Sequence, residues 1–77
     1  MQRGERYAQK KDYRRAALEF QNAASQMPND AEAHYRLALA LLELGDYRAA
    51  VGRLMKATEI NPKHVAAQTR LAQLMAT

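Results

Sequence analysis

The sequence predicts an all-α protein built as stacked antiparallel helical hairpins, five helices in all, and three observations carry that prediction. The chain repeats itself at an offset of 34 residues, the separation of Asp12 from Asp46: "KKDYRRAALEFQNA" at residues 10–23 returns as "LGDYRAAVGRLMKA" at 44–57. Between the turns, apolar residues recur at three- and four-residue steps, the spacing of one face of an α-helix. Pro28 and Pro62 fall at equivalent places after the second and fourth of these stretches, where they stop a helix. A fixed period of this length is the signature of a helical-hairpin array.

The helices are expected near residues 3–10, 13–26, 31–44, 47–60 and 65–76. The first two are the weaker copy, with Asp12, Tyr13, Arg14, Ala16, Ala23 and Pro28 matching Asp46, Tyr47, Arg48, Ala50, Ala57 and Pro62. In the third, Ala33, Leu37, Leu41 and Leu44 form the core stripe, with Ala38 and Ala40 beside it. Asp30 stands at its N-cap and Glu32 in its first turn, where the helix dipole favours an acid. Gly45 ends it, because glycine takes a left-handed position without steric cost. Asp46 caps the fourth helix, whose Ala50, Val51, Leu54, Ala57 and Thr58 share one side. The small Ala38, Ala50 and Ala57 allow close helix approach, and Leu37, Leu41 and Leu54 fill the space between. The fifth helix turns Ala67, Leu71, Leu74 and Met75 toward the preceding hairpin. Leu74 and Met75 are expected to stay partly exposed and to drive a weak homodimer.

Composition narrows the function by exclusion. At 77 residues the chain makes one small domain. Without cysteine there is no disulfide framework, thiolate metal site or cysteine nucleophile, and the redox compartment stays unread. The longest apolar run, residues 37–42, is far too short to span a bilayer, so no membrane insertion is expected. Met1 precedes what reads as the middle of a helix, so the chain is expected to be a piece of a longer protein. Residues 1–15 hold Arg3, Arg6, Lys10, Lys11, Arg14 and Arg15 against Glu5 and Asp12, and the remaining charges balance, so the whole net charge of +4 is local. Such a short basic end reads as a solvated face before it reads as a nucleic-acid surface.

Catalysis has little to stand on. Ser25, Thr58, Thr69 and Thr77 sit in no nucleophile-elbow or phosphate-loop setting. His34 and His64 lack the companions of a metal shell. Gly4, Gly45 and Gly52 are scattered singly, so no loop cradles a phosphate. No catalytic, metal or cofactor residue is assigned, and no small-molecule substrate is expected.

Residues 31–64 resemble one entire tetratricopeptide repeat. The family pattern is met by His34, Leu37, Ala38, Leu41, Ala50, Leu54, Ala57 and Pro62, with the Gly45-Asp46-Tyr47 turn between the helices. His34, Leu41 and Leu54 replace aromatic residues of that pattern. In the same register residues 1–30 are a first repeat lacking its opening positions, carrying Gly4, Tyr7, Ala16, Phe20, Ala23 and Pro28, and residues 65–77 are the first helix of a third repeat or a capping helix. Lys11 stands where the turn glycine belongs, at some expense if the left-handed conformation is kept.

The resemblance implies a right-handed superhelix and a non-catalytic scaffold that binds a peptide or a partner helix in its concave groove. Carried onto this register, the groove-facing positions are Glu32, Tyr35, Leu39, Leu42 and Glu43, preceded by Glu5, Ala8 and Gln9 and followed by Ala66, Thr69, Gln73 and Ala76. Tyr35, Leu39 and Leu42 are spaced four and three apart, on a face the core stripe does not use. The carboxylate clamp of some family members is mostly missing, and Arg36 and Arg70 alone make a weak case for an acidic ligand. The alternative is a structural or assembly module that stacks or self-associates within a larger repeat protein. The alanine- and arginine-rich style is similar to bacterial repeat proteins, including those of exopolysaccharide export, with cytoplasm and periplasm equally open.

Overall fold

The structure, a computed structural model, describes residues 2–76, and among these there is no strand. The helices are α1 (Gln2–Gln9), α2 (Tyr13–Gln26), α3 (Ala31–Glu43), α4 (Tyr47–Ile60) and α5 (Val65–Met75), each within one residue of its predicted bounds. α1 and α2 make one hairpin, α3 and α4 the next, and α5 lies on α4. The closest packing runs between helices adjacent in the chain. The stack measures 29 × 26 × 17 Å.

The 34-residue period is rebuilt in the hydrogen bonds of the turns. The Asp12 side chain accepts the Arg15 N–H at 3.4 Å at the head of α2, and Asp46 accepts that of Ala49 at 3.3 Å at the head of α4. Asp30 likewise caps α3 through the Glu32 N–H at 3.0 Å. After the prolines, His34 Nε2 donates to the Pro28 carbonyl at 3.0 Å, and Gln68, its equivalent one period on, donates to the Pro62 carbonyl. A carbonyl only accepts, so His34 carries its hydrogen on Nε2. Nδ1 is then left to accept from Arg53, 3.5 Å away. His34, only 3% exposed, is therefore a packed and hydrogen-bonded core residue.

α3 ends in a Schellman turn. The Gly45 N–H reaches the Leu42 carbonyl at 3.0 Å and the Asp46 N–H reaches that of Leu41 at 2.9 Å, with Gly45 at φ 83°. α1 ends the same way, the Asp12 N–H reaching the Tyr7 carbonyl at 2.8 Å, but the left-handed residue is Lys11, at φ 60°. A side chain there costs about 1 kcal/mol more than glycine.

The core lies in two main layers. Ala16, Ala17 and Phe20 of α2 meet Leu37 and Ala40 of α3, and Ala38, Ala50, Leu54 and Ala57 of the second hairpin meet Ala67 of α5. The small residues set the helix separations. A Cβ added to Gly4 would lie 2.5 Å from the Phe20 ring, so α1 sits on α2 only because Gly4 has no side chain. One period on, the pair is Ala38 and Leu54, both fully buried. A glycine with a large partner has become an alanine with a smaller one.

Two core assignments need correction. Leu44, expected on the core stripe, is the C-cap of α3 and is 45% exposed, because the turn into Gly45 carries it out of the helix face. Met75, expected to face α4, is 70% exposed. Ala67, Leu71 and Leu74 keep that stripe, and Met75 follows Leu74 by one residue, about 100° further round the helix.

Candidate functional site

α3 is the central helix, and its polar and apolar residues meet α1, α2 and α5 around one groove of about 400 Å³. The buried Phe20 and Ala40 lie at its base. Glu5 and Gln9 of α1, Tyr13 of α2, and Leu39, Leu42 and Glu43 of α3 form its sides, and Arg70 of α5 reaches its far rim. Of the positions expected from the sequence, Glu5, Gln9, Arg36, Leu39, Leu42, Glu43 and Arg70 come together here. Glu32, Tyr35, Ala66, Thr69, Gln73 and Ala76 do not line it. Tyr35 is half-buried against the second core layer, with its ring centroid 4.7 Å from that of His64. Leu42 also rests partly on that layer, so this face of α3 is shared between core and groove. Thr69 and Gln73 are exposed on α5. The side chain of Ala8 lies outside the described residues.

A polar ladder runs along this side of the stack and joins three helices. Glu5 of α1 pairs with Arg36 Nη1 at 3.4 Å, Arg36 Nε donates to Glu32 Oε1 at 2.8 Å, and Glu32 Oε2 accepts from His64 Nε2 at 2.9 Å. His64 also caps α5, its Nδ1 accepting the Ala67 N–H at 3.1 Å. That bond requires a bare Nδ1, so the ring presents its hydrogen to Glu32. Burial by itself would raise the Glu32 carboxyl, but the hydrogen bonds from Arg36 and His64, with the Arg36 charge behind them, outweigh it and hold the group below its ordinary range. Arg36 is raised by its bond to Glu32, against desolvation and with help from Glu5. Arg36 is thus committed to partners within the chain. Glu43 and Arg70 have no ion-pair partner among the described residues, so any acidic preference of the groove rests on Arg70.

The sequence reading did not assign His64 its place. It was visible in the period, since residue 64 is one repeat after the capping Asp30. Tyr13 and Phe20 also reach the groove although they belong to the second helix of their hairpin. α1, with 8 residues, is shorter than α2, with 14.

Helical hairpins stacked on a fixed period make this a helical-repeat protein. The family model for the tetratricopeptide repeat matches residues 7–76, and the chain belongs to that family. No curated protein matches it. The family is generally a protein–protein interaction module, and its repeats are typically non-catalytic scaffolds. No helix among the described residues is long and apolar enough to cross a membrane.

Proposed function

We propose that residues 1–77 act as one non-catalytic scaffold that takes an apolar or amphipathic peptide segment, extended or helical, of a partner protein in this groove. The observation that carries this reading is Leu39. It is half-buried, lines the groove beside Leu42 above Phe20 and Ala40, and takes no part in the core layers of the described residues. An apolar side chain held at the mouth of a groove gains most by being covered. Glu43 and Arg70 place opposite charges at two points of the rim and would orient the bound segment.

A second reading, a module that self-associates or stacks within a larger repeat protein, is favoured by Val65 and Met75, 69% and 70% exposed on α5. A bacterial setting, and exopolysaccharide export within it, rest on likeness of composition alone.

The groove is tested by panning a displayed peptide library on the wild-type protein and measuring the selected peptides on variants. Leu39→Glu should weaken them about tenfold or more, whereas Leu18→Glu, at an exposed position of α2, should leave them unchanged. Equal loss in both variants, or no peptide selected, would remove the groove from the function.

A further inference from the structure

The positive charge of this chain is concentrated where nothing in the fold uses it. Arg3, Arg6 and Lys10 stand three and four residues apart, on one stripe of α1 and the turn that ends it, and all three are exposed. Lys11 and Arg14, also exposed, extend the stripe toward α2. None of these five forms an ion pair among the described residues. The acids nearby are taken, Asp12 by Arg15 at 3.5 Å and Glu5 by Arg36 at 3.4 Å.

Lys11 gives the stripe its meaning. It holds φ 60° in the turn where the second hairpin has Gly45 at φ 83°, so it occupies a strained conformation that glycine would relieve. Its side chain is exposed and forms no hydrogen bond or ion pair among the described residues. Non-glycine residues held in this region cluster at functional sites, where the surrounding structure sustains the strain.

We propose that the α1–α2 edge docks an acidic polypeptide segment, independently of what the groove binds. A single-stranded nucleic acid would call for aromatic faces among the cations on which bases could stack. Tyr7 is half-buried with Arg15 5.9 Å above its ring, and Tyr13 is half-buried in the groove. A membrane surface would call for several apolar side chains beside the cations; the described residues of α1 and its turn expose no large one, and those of α2 expose one, Leu18. Carboxylates on an extended strand need only the guanidinium and ammonium groups present. From Arg3 to Lys10 the helix rises about 10 Å, the length of about three extended residues, so a short run of Asp and Glu spans the stripe.

Fluorescence anisotropy with a labelled oligoglutamate peptide tests this, beside oligouridylate RNA of equal charge and phosphatidylcholine vesicles containing about a quarter phosphatidylserine. The peptide should bind saturably, weaken steeply with salt, and lose about tenfold affinity in Arg6→Glu/Lys10→Glu. The control Arg48→Glu/Lys63→Glu changes net charge equally at exposed positions elsewhere and should lose little. Lys11→Gly should raise the melting temperature while weakening peptide binding about twofold to threefold, opposite signs that a merely structural role does not produce. The proposal is overturned by equal loss in the control, by unchanged peptide affinity in Lys11→Gly, by tighter binding of RNA or vesicles than of peptide, or by no binding of the peptide.

Discussion

Gly4 and Phe20 show how a single position controls the approach of two helices. With 2.5 Å between a would-be Cβ and the ring, Gly4→Ala must displace Phe20, which is buried and flanked by Ala16 and Ala17. Overpacking of this kind costs about 1–3 kcal/mol, and chemical denaturation should read that loss. The double variant Gly4→Ala/Phe20→Leu copies the Ala38 and Leu54 pair of the second hairpin and should recover most of it; no recovery would mean that the two hairpins solve their packing separately. The period put Gly4 and Ala38, and Phe20 and Leu54, at equivalent places and singled out Lys11, but that Gly4 meets Phe20 is read from the packing. The period was less informative where a residue changes chemical type, which is how His64 came to stand unread in the position of an aspartate.

At the scale of the helix, the bounds were legible because aspartate caps, Gly45 and the two prolines act locally, within a turn of their own position. The ladder from Glu5 through Arg36 and Glu32 to His64 was not, since it depends on how three helices are set side by side. Its acid behaviour follows from the sign of the Glu32 shift. A carboxyl held lower in the folded protein than in the unfolded chain contributes stability that is whole above its ordinary value of 4.5 and is lost as pH falls through the lower folded value. Glu32→Gln should therefore be the less stable protein at neutral pH and should lose less stability than wild type on going into that acid range. Urea midpoints measured across a pH series check this, and parallel curves for the two proteins would show that the ladder carries no linked proton. The side chain of Glu32 is 41% exposed, so solvent screens the pairing and the effect is small.

For the whole molecule, the open question is what meets the outer face of α5. Val65 and Met75 are the most exposed large apolar residues described, and covering one is worth about 1.5–3 kcal/mol. Sedimentation over a concentration series should show weak self-association at the highest concentrations, diminished by Met75→Gln. A strictly monomeric wild type, indifferent to that substitution, would leave groove binding as the sole reading. The sequence anticipated exposure at this end but placed Met75 on the inner stripe, because a spacing of four from Leu71 fits that stripe nearly as well as the spacing of three that Leu74 occupies.

The order of the packing also has a bearing on how the chain reaches this state. Because each helix packs most closely on its neighbour in sequence, no early segment must wait for a distant one, and only short loops have to close. α3 and α4, which share the most extensive interface, are the natural nucleus, with α1–α2 and α5 added outward. During synthesis α1 and α2 leave the ribosome before that nucleus exists, so their hairpin waits for α3 and α4 to emerge, whereas α5 arrives last and meets a surface already formed.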